Sequence, residues 1–251
     1  MKHSSLLRLS FSAALLSFFL ISCGGSDETK TTTTDSTTAT TADTSKSAAA
    51  TTPANTIITT PENMMVVTFK MANFSKWLDA YEAHDSARVA SGLHKYVIGR
   101  GLMDSNMVLV AMKADDINKA KDFAKSPGLK MAMQKGGVMG APMQSFITAT
   151  WQDTAIVNTS IRSQTKFSVK DAETWQKNFM DGKQERMDNG ITDRVISHDA
   201  DDAKKITLVT AVLDTAKAFV YYKSDALKKR REAGGVIGEP VRFLFKIVKR
   251  Y

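Results

Sequence analysis

The sequence predicts an α+β fold in which two tandem copies of a β-α-β-β-α-β unit pack together within one chain. Three observations carry this reading. The stretch Gly136-Gly137-Val138-Met139-Gly140-Ala141-Pro142 returns 98 residues later as Gly234-Gly235-Val236-Ile237-Gly238-Glu239-Pro240. The same offset, without a gap, superposes Trp77 on Trp175, Tyr81 on Phe179, Gly92 on Gly190, Val97-Ile98 on Val195-Ile196 and Ser126 on Ser224. Matches at separate places in one register mark a tandem duplication. Within each copy, β-branched runs and helix-spaced apolar residues follow the same order.

The 251 residues are therefore divided into two domains of roughly ninety residues each. A domain of that size is only marginally stable alone, so the copies are expected to cover each other. The whole chain is expected to be a monomer with an internal pseudo-dimer.

Residues 1–22 have the form of an export signal: Lys2 and Arg8, an apolar run from Phe11 to Ile21, then small residues. The run is too short for a convincing membrane span. Leu20-Ile21-Ser22-Cys23-Gly24 resembles the lipobox of bacterial lipoproteins, and Cys23 is the sole cysteine. That resemblance implies cleavage before Cys23, diacylglycerol on its thiol, triacylation at Cys23 with palmitate-type chains, and attachment to the cell envelope. Gly24 after the cysteine implies the outer membrane; the leaflet stays open. A lone cysteine excludes a disulfide framework. Residues 23–61 are dominated by Thr, Ser, Ala and Asp, a composition too poor in apolar surface to fold, and are read as a disordered tether.

The first copy, 62–151, opens with the strand Met64 to Lys70. Asn73 is read as an N-cap, as is its counterpart Asp171. The following helix carries Trp77 and Tyr81 and stops at Gly92, a C-terminal glycine repeated as Gly190. Leu93–Arg100 and Met107–Lys113 form a hairpin. A helix from Asp116 carries Ile117, Ala120 and Phe123. Ser126-Pro127 restarts it as Gly128–Lys135, and Met143–Thr150 closes the copy.

The second copy, 160–251, repeats this plan. Its strands are Arg162–Val169, Ile191–Ser197, Lys205–Leu213 and Val241–Val248. One helix runs from Asp171 to Asn189, and further helices occupy Asp214–Ala233. The glycines Gly136, Gly137, Gly140, Gly234, Gly235 and Gly238 are assigned to chain reversal, with Pro142 and Pro240 opening the last strands. A phosphate cradle would need them before a helix rather than after one.

Each copy thus follows a ferredoxin-like plan, helices on one face of an antiparallel sheet. With its tandem units, its helix aromatics Trp77 and Trp175 and its glycine turn, the chain resembles the dimeric α+β barrel superfamily, which includes antibiotic-biosynthesis-monooxygenase-like families. The fold expected is two ferredoxin-like units packed as an intrachain dimeric α+β barrel. Some members act on aromatic substrates without metal or flavin. By that resemblance Asn73, Trp77, Tyr81 and Tyr96 in the first copy, and Trp175, Phe179 and Arg194 in the second, are candidate pocket residues. The plainer reading makes Trp77/Trp175 and Tyr81/Phe179, four residues apart on helices, core anchors.

Other chemistry finds little support in the residues. His84, His94 and His198 have no metal-ligand spacing, and the positions equivalent to His84 and His94 are Gly182 and Thr192. No metal and no cofactor is therefore assigned. Haem enzymes among related barrels use a histidine, but these lack a repeated one. Clustered methionines (Met131, Met133, Met139, Met143) are read as packing. The formal charge is +8, and removal of Lys2 and Arg8 leaves +6. Much of it lies in Lys228-Lys229-Arg230-Arg231 and in Arg242, Lys246, Lys249 and Arg250, read as a solvated face without a nucleic-acid motif. With no paired nucleophile and base, the leading expectation is a lipid-anchored, non-catalytic envelope protein. It would bind a small apolar or aromatic ligand, or an envelope partner. A cofactor-independent monooxygenase with a pocket near Trp77 is the alternative.

Overall fold

The computed structural model describes residues 55–251; the export signal, Cys23 and most of the Thr/Ser-rich stretch lie outside them. The first repeat comprises β1 (Ile57–Ile58), β2 (Glu62–Met71), α1 (Phe74–Ala83), α2 (Asp85–Ala90), β3 (Leu93–Gly101), β4 (Met107–Ala114), α3 (Ile117–Lys125), α4 (Pro127–Lys135) and β5 (Val138–Asp153). The second comprises β6 (Ile161–Val169), α5 (Ala172–Asp181), α6 (Lys183–Asp188), β7 (Ile191–Asp199), β8 (Asp202–Val212), α7 (Thr215–Tyr222), α8 (Asp225–Ala233) and β9 (Val236–Arg250).

Local chemistry explains where the helices begin. Asn73 and Asp171 accept from the main-chain N–H groups of Lys76 and Thr174. Asp116 and Asp214 cap α3 and α7, and Ser126 and Ser224 cap α4 and α8. Each cap meets a donor that the first helical turn leaves unpaired.

The strands run in the order β5-β2-β4-β3-β9-β6-β8-β7, and β7 pairs back onto β5. Each repeat has its own ferredoxin-like order, and an edge strand of one joins an edge strand of the other at both seams. Val97 to Gly101 pairs with Arg250 to Phe245, and Ile147 to Gln152 with Asp199 to Val195. The sheet is thereby a closed eight-stranded barrel, which leaves no long free edge. At the first seam Gly99 faces the ring of Phe245: a Cβ there would stand 2.2 Å from the ring's Cδ2. Only glycine lets β3 and β9 approach so closely.

Alternation along the strands separates two kinds of core. Met65, Val67, Phe69 and Met71 of β2 point outward and pack under the helices with Trp77, Leu93 and Phe123. Met64 and Val66 point inward and join Val97, Leu109, Ile147 and Phe245 in the barrel. Because both faces of β2 are buried, the strand reads as a nearly continuous apolar run. Among the described residues no helix is long and apolar enough to cross a membrane.

Three expectations need correction. The tether does not extend unbroken to residue 61, because β1 pairs with the end of β5, Ile57 opposite Asp153 and Ile58 opposite Gln152. Two adjacent isoleucines suit this short addition. The single first helix of each copy is broken, at His84 and at Gly182. The break brings Arg88 to 3.8 Å from the centre of the Tyr81 ring and Arg186 to 3.6 Å from that of Phe179. A continuous helix would separate residues seven apart by about 10.5 Å along its axis.

The closing strands also begin earlier than expected, directly after Gly137 and Gly235. Gly136 and Gly234 are helix C-caps, and Gly137 and Gly235 take the positive φ of the reversal (76° and 68°). Gly140 and Gly238, both with φ 68°, lie inside β5 and β9. The register there steps from Thr68–Met143 to Lys70–Met139, and from Lys166–Val241 to Ser168–Ile237. These two glycines therefore serve a strand bulge rather than the reversal, and Pro142 and Pro240 occupy bulged rather than opening positions.

Candidate functional site

The inward faces of the barrel do not fill it. They enclose a chamber of about 840 Å³, lined by residues from all eight barrel strands and by the inter-repeat segment Thr154 to Ser160 across one mouth. On β2, β4 and the middle of β5 the first repeat lines it with the apolar Met64, Val66, Leu109, Ala111 and Ile147, and its polar contributions are Tyr96, Gln152 and Asp153. The corresponding β6 positions of the second repeat carry Arg162 in place of Met64 and Gln164 in place of Val66. Divergence of the two copies has made the β2 wall apolar and the β6 wall polar.

Two arginines dominate the polar side, Arg162, which is buried, and Arg194, which is partly buried. Arg162 is 4% exposed, and its Nη1 donates to the carbonyls of Thr159 (3.0 Å) and Ile161 (2.9 Å). It forms no ion pair among the described residues. Burial, followed by the nearby Arg250 and Arg194 charges, lowers its pKa to about 10, so it stays charged at neutral pH. Arg194 projects from β7; its Nη2 donates to the Ala155 carbonyl at 2.7 Å. Its Nη1 is buried without a hydrogen-bond partner and stands 3.7 Å from Asp153. Burial is also the chief reason its pKa falls. The inter-repeat segment thus holds both guanidinium groups through the carbonyls of Thr159 and Ala155, and the Ile161 carbonyl at the start of β6 takes a second bond from Arg162. Arg250 lies on the exposed rim.

The candidate pocket residues separate into two places. Tyr96 and Arg194, equivalent at the 98-residue offset, both line the chamber. Trp77 and Tyr81 lie on the opposite side of the sheet, where Trp77 stacks on Tyr81 with ring centres 5.2 Å apart and packs on Phe69 at 5.3 Å. Trp175 repeats this with Phe179 at 5.2 Å and Phe167 at 5.3 Å. Asn73 is occupied as the α1 cap. A single pocket grouping Asn73, Trp77, Tyr81 and Tyr96 is therefore not formed, because the register of β3 shifts between Lys95 and Val97 and Tyr96 joins Val97 on the inner face of the sheet.

The spaces beside these aromatic pairs are about 50 Å³ in the first repeat and 80 Å³ in the second. Both are far below the several hundred Å³ typical of small-molecule sites. Tyr81 Oη is buried without a partner, and burial raises its pKa to about 12, so it is no base at neutral pH. His84 faces the 50 Å³ space; burial and then Arg88 lower its pKa. A haem does not fit there. His94 pairs with Asp115 at 3.0 Å on the surface, and His198 Nδ1 lies 2.8 Å from the Asp199 carbonyl. Among the described residues no group of three His, Cys, Asp or Glu could hold a metal ion.

Sequence reasoning did not single out Arg162, Gln164, Arg88 or Arg186. Arg88 and Arg186 are themselves related by the 98-residue offset, and both are buried, at 3% and 5% exposure. That match was a usable signal. So was the pattern Arg162-x-Gln164 set against Met64-x-Val66.

No family model matches the chain, and no curated protein matches it in sequence. Its likeness is to solved structures. An anthrone oxidase-like protein superposes with a TM-score of 0.53 at 11% identity, covering 78% of this chain and 95% of its own. A candidate monooxygenase from Fusobacterium nucleatum gives 0.50 at 12% identity, covering 75% and 93%. A candidate chlorite dismutase gives 0.50 at 10% identity, covering 75% and 95%. At these identities the likeness carries the fold and not the chemistry. The chain is an α+β protein whose two ferredoxin-like units build, in one polypeptide, a closed antiparallel barrel, and that fold is what it shares with these solved structures.

Proposed function

We propose that this is a lipid-anchored, non-catalytic protein of the cell envelope that holds a small, largely apolar ligand in its barrel. The observation that carries the reading is the chamber of about 840 Å³, a volume in the range of small-molecule sites. Its lining includes no histidine. The hydroxyls of Thr154 and Thr159 are committed to the carbonyls of Thr56 and Val212. The lining pairs none of its hydroxyls with a histidine base, and its volume and apolar content support binding.

The test is titration of the full chain with the apolar fluorophore N-phenyl-1-naphthylamine. Ala111 and Val209, equivalent at the 98-residue offset and both lining the chamber, are replaced together by tryptophan. The wild type should bind the dye, and the filled variant should lose about tenfold or more in affinity while still unfolding cooperatively. Equal binding by both proteins, or none by the wild type, refutes the chamber.

The anchoring part of the proposal is supported by Leu20-Ile21-Ser22-Cys23 and by the Thr/Ser-rich stretch that follows. Cys23→Ala should move the protein from the membrane fraction to the soluble one. Continued anchoring would count against lipidation at this cysteine.

A further inference from the structure

The chamber holds more positive charge than its own walls neutralise. Arg162 is buried within it and Arg194 partly so, Lys249 and Arg250 line its rim, and Asp153 is the one carboxylate in the lining. Lys249 is already engaged, 2.6 Å from Glu82 outside the chamber. Glu62, near the same mouth, is likewise occupied by Lys113 at 2.6 Å and by Gln152 at 3.0 Å. That leaves three guanidinium groups to one carboxylate, and the carboxylate lies 3.7 Å from Arg194, beyond hydrogen-bond reach.

Burying an unpaired guanidinium is costly, and packing does not require it here. At the equivalent position the first repeat places Met64, buried in the same chamber at 4% exposure. An apolar residue therefore suits this site of the fold, and the second repeat carries an arginine instead. Such a group is expected where a bound anion supplies the missing partner. The guanidinium fork suits two-oxygen acceptors such as carboxylate and phosphate. Across the chamber, Met64, Val66, Leu109 and Ile147 present a wall with no polar side chain.

We propose that the chamber takes an amphipathic anion, a single carboxylate or phosphate head on an apolar tail. Arg162 and Arg194 hold the head, Arg250 attracts it at the rim, and the tail lies along the first-repeat wall. The proposal rests on the chamber being the ligand site, and it deepens that reading by naming the ligand class.

The test displaces N-phenyl-1-naphthylamine from the full chain with dodecanoate, dodecyl phosphate, dodecanol and dodecyltrimethylammonium. At least one of the two anions should bind about tenfold or more tightly than dodecanol, with the cation weakest. Which anion binds more tightly separates carboxylate from phosphate as the preferred head. In Arg162→Gln/Arg194→Gln the anion advantage should disappear while dodecanol affinity holds. The preferred anion should raise the unfolding temperature of the wild type but not of that variant. If the double variant does not fold, Arg194→Lys serves, since it keeps the charge, loses the fork and should weaken anion binding selectively. Dodecanol binding as tightly as both anions, or an anion advantage that survives these substitutions, overturns the head-group assignment and leaves the chamber standing. Failure of the dye and of every amphiphile to bind overturns the chamber reading as well.

Discussion

Arg186→Ala should lower the free energy of unfolding by about 3–5 kcal/mol, because it leaves a buried carboxylate without its partner. Arg186 Nε and Nη2 grip Asp193 at 2.7 and 2.6 Å, and Nη1 donates to the Phe179 carbonyl at 2.7 Å. The two side chains are 6% and 2% exposed. Arg186 also lies 3.6 Å from the centre of the Phe179 ring. One residue thus ties α6 to β7 and to the end of α5. Its counterpart Arg88 pairs with Asp85, which is 38% exposed and receives Lys95 at 2.9 Å. After Arg88→Ala that carboxylate keeps water and a second cation, so the loss should be clearly smaller. Urea unfolding of both variants gives the comparison. The double replacement Arg186→Met/Asp193→Leu should recover most of the loss by exchanging the pair for apolar packing. Equal losses at the two sites would contradict the role assigned to burial.

The same residues show how far sequence pattern reached. The 98-residue offset, the caps at Asn73 and Asp171 and the Ser126-Pro127 restart all act through local chemistry, and local chemistry is visible in a sequence. Closure of the barrel through β5–β7 and β3–β9 was less visible, since those pairings join residues about 50 and 150 positions apart through the tertiary fold alone. The break at His84 was hidden because Asp85-Ser86-Ala87-Arg88 continues a plausible helix, and the contact of Arg88 with Tyr81 that accompanies the break is tertiary. Gly140 and Gly238 resembled turn residues because a bulge and a reversal both use positive φ.

The chamber was missed for a further reason. In β6 the residues Arg162, Ser163, Gln164 and Thr165 are polar on both faces and all buried, so no polar–apolar alternation separates inside from outside. Comparison with Met64-Met65-Val66-Val67 in the first repeat recovers the facing, and with it the two-sided character of the chamber. Tyr96 and Arg194 were recognised as candidates, but grouping Tyr96 with Trp77 placed residues on opposite sides of one sheet into a single pocket.

That separation makes the tryptophans a decisive place to cut. Trp77→Ala and Trp175→Ala should each cost about 3–5 kcal/mol, the range for emptying a large aromatic site in a core. Both indoles are 4% exposed, and each is held between a stacked helix partner and a strand phenylalanine. Tyr81→Phe should be neutral or slightly stabilising, because it removes a buried hydroxyl that has no partner. A catalytic tyrosine would give a different pattern, with stability kept and turnover lost. Dye binding in the chamber supplies the internal control, since these side chains lie beyond the opposite face of the sheet. In the folded fraction, Trp77→Ala should keep its affinity for N-phenyl-1-naphthylamine while its urea midpoint falls. Loss of dye binding at unchanged stability would place the ligand under the helices instead, against the 50 Å³ available there. The first repeat's aromatic stack would then be a site rather than the support that positions the barrel wall.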